Sequence, residues 1–108
     1  MGSIFSSVDP TVEEQNYYNE VSRVCNKNKN DDKFLIGLFK KEWNMLCTKR
    51  NEGSLNFAHQ FTPCTTIISF IKDPNLFVTY QQFIDKWNKK SLRASDFDII
   101  TIYLQKFH

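Results

Sequence analysis

The sequence predicts a compact single all-α domain of four to five short helices. Three observations predict it. Apolar residues recur at i, i+3 and i+4 along most of the chain, the spacing that gathers them on one face of a helix. Only three Gly and three Pro punctuate 108 residues, too few for the tight turns of an all-β chain. Ten Phe, four Tyr and two Trp supply bulky apolar volume for one core, and the length leaves no room for a second.

The elements follow in order. Asp9-Pro10 offers an N-cap followed by Pro at the first helical position, and Thr11-Val12-Glu13-Glu14 offers a capping box, so the first helix starts at one of these two points. Tyr17, Val21, Val24 and Cys25 form its apolar stripe. The polar run Asn26-Lys27-Asn28-Lys29-Asn30 ends it. Asp31 or Asp32 caps a second helix carrying Leu35, Leu38, Phe39, Trp43 and Leu46 inward and Lys40, Lys41 and Asn44 outward. Gly37 weakens this helix slightly, and Asn51-Glu52-Gly53 turns the chain. Residues 54–61, with Leu55, Phe57 and Phe61, read equally as a short strand or a helical turn. Thr62-Pro63 starts another helix with Ile67, Ile68 and Ile71 inward, which Asp73-Pro74-Asn75 ends. Thr79 is expected to cap a helix holding Tyr80, Phe83, Ile84 and Trp87. Ser95 or Asp96 caps the last, with Phe97, Ile100, Tyr103, Leu104 and Phe107 at helical spacing.

The formal net charge of +2 hides an uneven distribution. Residues 1–20 hold four acids and no base, whereas residues 21–50 hold eight bases against three acids. A basic middle segment of this kind attracts anionic lipid or nucleic acid. Its candidate contacts are Arg23, Lys27, Lys29, Lys33, Lys40 and Lys41, with Lys49 and Arg50 less central.

The first residues carry the most specific pattern. Met1-Gly2-Ser3-Ile4-Phe5-Ser6-Ser7 fits M-G-x-x-x-[ST], the acceptor for myristoylation of Gly2 after Met1 is removed. Glycine is required there because the transferase site admits no side chain at the new N-terminus. Residues 1–8 are therefore expected to be a flexible acylation segment ahead of a helical domain over 9–108. One myristoyl chain partitions into membranes with K on the order of 10⁴ M⁻¹, which is marginal and reversible. Each Lys or Arg near an anionic surface adds about 1 kcal/mol. The acyl chain and the basic segment together meet the two-signal requirement for stable anchoring.

Other chemistries find little support. No apolar run approaches 18 residues, so no transmembrane helix is expected, and no basic stretch followed by an apolar one announces a secretory signal. Cys25, Cys47 and Cys64 lack paired or metal-ligand spacing and read as free thiols. His59 and His108 stand near no nucleophile in a useful pattern, so no enzyme activity and no cofactor are expected beyond a covalent myristate on Gly2. Two stretches, Asn51–Phe57 and Phe77–Phe83, share the rhythm of calcium-binding loops. In that frame Ile71, Leu76 and Gln82 occupy the positions that need an acid, a glycine and a bidentate Glu.

Taken together, the order of features resembles a retroviral Gag matrix domain. Met1-Gly2-x-Ile4-Phe5-Ser6 resembles the opening of some deltaretroviral Gag proteins. Leu38-Phe39, Cys47 and Glu52-Gly53-Ser54-Leu55-Asn56-Phe57 resemble a passage of betaretroviral matrix, as does the stretch from Leu76 through Val78-Thr79 to Phe83 and Trp87. The resemblance implies a matrix-like helical fold acylated at Gly2, with Ile4 and Phe5 accompanying the acyl chain. It implies docking of a viral polyprotein on the inner leaflet of the host plasma membrane, with the chain found at that membrane, in the cytoplasm and in the virion. The implied partners are anionic lipids such as phosphoinositides, further copies of the chain within a viral shell, and an envelope-protein tail. Nucleic acid is a secondary one. The alternative is a cellular myristoylated adaptor or calcium-sensor relative that binds a partner helix.

Overall fold

The computed structural model describes residues 11–53 and 58–107, and the side chains of Ala58 and His59 are not among them. Gly2, Ile4, Phe5, the Asp9-Pro10 cap, Leu55, Phe57, His108 and the expected acylation segment lie outside the described residues. The domain is small and all-α. It comprises α1 (Val12–Lys27), α2 (Asp32–Asn51), a 3₁₀ turn (Ala58–Phe61), α3 (Thr62–Ile68), α4 (Pro74–Asn88) and α5 (Ala94–Leu104).

Local chemistry sets each helix start. The Thr11 hydroxyl accepts from the Glu14 N–H at 3.0 Å while the Glu14 carboxylate accepts from the Thr11 N–H at 2.8 Å, the reciprocal pair of a capping box. Asp31 caps α2 through the Phe34 N–H. The turn after α2 places Gly53 at φ 75°, a left-handed conformation that side chains other than glycine adopt at a cost.

Three boundaries differ from the sequence reading. Helix α3 ends at Ile68, short of the expected Asp73-Pro74-Asn75, so the buried Ile71 lies beyond it. Asp73 caps α4 six residues before the expected cap Thr79, because the Asp73 carboxylate accepts from the Leu76 N–H and Pro74 has the fixed φ suited to the first turn. Thr79 lies inside α4 and donates its hydroxyl to the Asn75 carbonyl. The residue at the cap of α5 is Arg93, not Ser95 or Asp96. Asp96 acts from the first turn instead, accepting from the Arg93 N–H at 2.7 Å and from Lys86 Nζ at 2.7 Å. It is buried, and those two donors replace the water it gives up.

The short α3 packs against both α1 and α2, α4 packs along α5, and α5 returns to α2. Trp43, fully buried, occupies the centre. Its ring centroid lies 5.0 Å from Phe83 and 6.5 Å from Tyr80, both edge-on, 5.8 Å from Phe97 and 6.3 Å from Phe39. Such ring pairs contribute about 0.5–1.5 kcal/mol each beyond area burial. The polar tips are satisfied. Trp43 Nε1–H donates to Thr101 Oγ1 at 3.0 Å, which donates to the Phe97 carbonyl. The Tyr80 hydroxyl, bonded to Thr65 at 2.7 Å, also meets the Phe61 carbonyl. Cys25 and Cys64 are buried free thiols that fill core volume.

Thr101→Val keeps shape but removes the acceptor from a fully buried indole N–H. It should destabilise the domain by about 1–3 kcal/mol in urea denaturation. The Lys86 hydrogen bond, followed by that from the Arg93 N–H, holds the Asp96 carboxyl below its usual range. Its stabilisation is therefore complete above the ordinary carboxylate value, about pH 4, and is lost as pH falls through the lower folded value. Asp96→Asn should remove that part of the acid dependence, measured as the difference between urea midpoints at about pH 5 and below pH 4.

Candidate functional site

The buried stripe of α2, Leu35, Phe39, Trp43 and Leu46, fixes which residues face outward. At 100° per residue, Lys33, Gly37, Lys40, Lys41 and Asn44 fall on the opposite side. Lys40 is only half-exposed because the end of α5 comes over it. After Leu104 the backbone tightens, with the Phe107 N–H bonded to the Leu104 carbonyl at 3.1 Å. The Phe107 carbonyl then accepts from Lys40 Nζ at 2.8 Å. Lys106 Nζ stands 4.0 Å from the centroid of Tyr103 and 5.4 Å from that of Phe107, a cation over two aromatic faces. The Tyr103 hydroxyl is anchored in turn on the Asp73 carboxylate at 2.9 Å.

These contacts build a cleft of about 420 Å³ lined by Lys33, Ile36, Gly37, Lys40, Lys106 and Phe107. Three lysines line it beside the apolar Ile36 and Phe107. A Cβ added at Gly37 would meet nothing within 4 Å, so the cleft floor has room there. Polyanions with several phosphate or carboxylate oxygens are the chemistry this cleft suits.

The other basic residues of the sequence reading lie elsewhere. Lys41, 100° further round α2 than Lys40, lines a neighbouring cleft with Asn44, Met45, Thr48, Lys49 and Glu52. Arg23 is on the outer face of α1, opposite Val21 and Cys25. Its guanidinium is engaged by Glu20, with Nε 3.0 Å from Oε1, so part of its charge is already answered. Lys27 closes α1 and Lys29 sits in the following turn, both exposed and neither lining the Lys33–Lys40 cleft. Arg50 lies 4.8 Å over the Phe97 ring and helps cover the core. Lys106 was not among the expected contacts. It is distant in sequence from the basic segment, and only the return of α5 to α2 brings it there.

A second feature escaped sequence reasoning. Glu42, 4% exposed, is a buried carboxylate between α1 and α2. The Tyr17 hydroxyl donates to its Oε2. Burial, then the hydrogen bond and charge of Glu42, push the Tyr17 hydroxyl well above the usual range, so it stays a donor throughout the physiological range. The two side chains border a cleft of about 310 Å³ whose wall also includes Tyr18, Met45 and Pro63. No described helix is long and apolar enough to cross a membrane.

No protein-family model matches the chain, and no curated protein or solved structure matches it.

Tyr17→Phe removes the donor that faces a buried carboxylate. It should cost about 1–3 kcal/mol in urea denaturation at neutral pH.

Proposed function

We propose that the chain is an N-myristoylated membrane-targeting structural module. In this reading it docks a viral polyprotein on the inner leaflet of a host membrane through an acyl chain on Gly2 and a cluster of lysines. The observation that carries the reading is the gathering of Lys33, Lys40 and Lys106 around one cleft, in a chain that opens with an acylation pattern. Each signal alone is weak. Three lysines at about 1 kcal/mol each raise partitioning by roughly two orders of magnitude, added to a marginal acyl contribution. Linking many copies in an assembly multiplies the weak affinity of each.

Lys33 and Lys40, from the sequence reading, are the contacts that the cleft favours, with Lys106 added. Lys41, Lys27 and Lys29 serve as a wider field that draws the domain to an anionic surface. Arg23 contributes less while paired with Glu20. Phosphoinositides, with several phosphates on one headgroup, suit the three-lysine cleft. Self-association within a shell, an envelope-protein tail and, secondarily, nucleic acid remain the partners that the matrix resemblance brings. The calcium-sensor alternative gains nothing from Phe77–Phe83, which lies wholly inside α4 rather than at a loop exit.

Co-expression with a myristoyltransferase should add about 210 Da at Gly2, read by intact mass, and Gly2→Ala should abolish the gain. In vesicle flotation at physiological salt, the variant Lys33→Glu, Lys40→Glu, Lys106→Glu should bind phosphatidylserine-containing vesicles at least about 100-fold more weakly than the parent. Equal flotation of the two would remove the basic cleft from the mechanism. Tight oligonucleotide binding with a steep salt slope and indifference to lipid would point to nucleic acid instead.

A further inference from the structure

Helix α5 carries apolar residues on its outer side as well as on its core side. Phe97, Ile100 and Leu104 are buried against the core, yet Ile99 and Ile102 on the outer side remain 53% and 64% exposed. A helix that is hydrophobic all round is normally covered on all sides. These two isoleucines stand one turn apart, and Lys106 follows in the tightened turn beyond the end of α5. Lys106 in turn shares a cleft with Lys33 and Lys40. Asp98 is the one carboxylate on the flank of this exposed face among the described residues of α5.

We propose that this face of α5 is part of the bilayer contact. Ile99 and Ile102 enter the boundary between headgroups and acyl chains while Lys33, Lys40 and Lys106 engage lipid phosphates. The proposal rests on the membrane-docking reading above and gives it an orientation. Charge selects the occupant. A second copy pressed face to face would bring six ammonium groups together and repel, whereas an anionic leaflet attracts all three of one copy. The aromatic rings beneath Lys106 suit the same depth, since Tyr103 and Phe107 combine an apolar body with a polar neighbourhood. Side chains of this kind, apolar beside basic, are the composition of surfaces that lie in a membrane interface.

The test uses the full chain and vesicles of phosphatidylcholine with phosphatidylserine. Ile99→Ser with Ile102→Ser should weaken binding about tenfold, from the apolar area no longer buried. Both positions are exposed, so the thermal midpoint by circular dichroism should hold, confirming that the variant folds. Met45→Ser, an exposed apolar residue on the flank of α2 away from Lys40, should bind as the parent does. Ile102→Trp should add a fluorescence signal that blue-shifts with vesicles and is quenched by brominated acyl chains. If the double serine variant binds like the parent and the tryptophan stays unquenched, this inference falls while the charge-based docking stands. If the parent itself ignores phosphatidylserine vesicles, both fall. If the serine variant instead loses self-association in sedimentation with vesicle binding intact, the face is a contact between copies and the lipid assignment is wrong.

Discussion

The indole of Trp43 sets the arrangement of the domain. It has no exposed surface, and its N–H must still find an acceptor. Thr101 supplies one, and Thr101 is itself tied to the Phe97 carbonyl one turn earlier in α5. This bond fixes the height and rotation of α5 against α2. With α5 so placed, Phe97, Ile100 and Leu104 meet the core. The residues beyond Leu104 are carried to the outer edge of α2, where the Phe107 carbonyl meets Lys40. The three-lysine cleft is thus a consequence of how a buried tryptophan is satisfied.

Two local contacts position the lysines of the cleft. Lys40 gives its ammonium to a backbone carbonyl, and Lys106 lies over the faces of Tyr103 and Phe107. Neither contact buries its lysine fully: Lys40 is half-buried and Lys106 exposed. The carboxylates nearby are used elsewhere: Asp73 holds the Tyr103 hydroxyl, and Asp96 joins α4 to α5 through Lys86. These two acids therefore act in the framework.

Much of this was legible in the sequence. The stripes Leu35, Phe39, Trp43, Leu46 and Phe97, Ile100, Leu104 read correctly because 3.6-residue periodicity survives any tertiary context. The Thr11 capping box and the Asp31 cap were readable for the same local reason. The start of α4 was not. Asp-Pro-Asn is a turn signal when a helix precedes it and a helix start when one follows, and here a short linker serves both. Lys106 was invisible as a partner of Lys33 because their proximity depends on a helix packing angle. Glu42 read as one more charge, since nothing local distinguishes a carboxylate on an apolar helix flank from one in solvent. Its partner Tyr17 is 25 positions away.

That last pair bears on how the ends of the molecule communicate. Helix α1, which follows the N-terminal residues, packs on α3, and α3 packs on α2. The Tyr17–Glu42 bond bypasses α3 and joins α1 directly to the helix that carries Lys33 and Lys40. A buried carboxylate needs donors in place of the water it gives up, and the Tyr17 hydroxyl is one that α1 supplies to Glu42. The bond therefore ties the placement of α1 to that of the helix carrying Lys33 and Lys40.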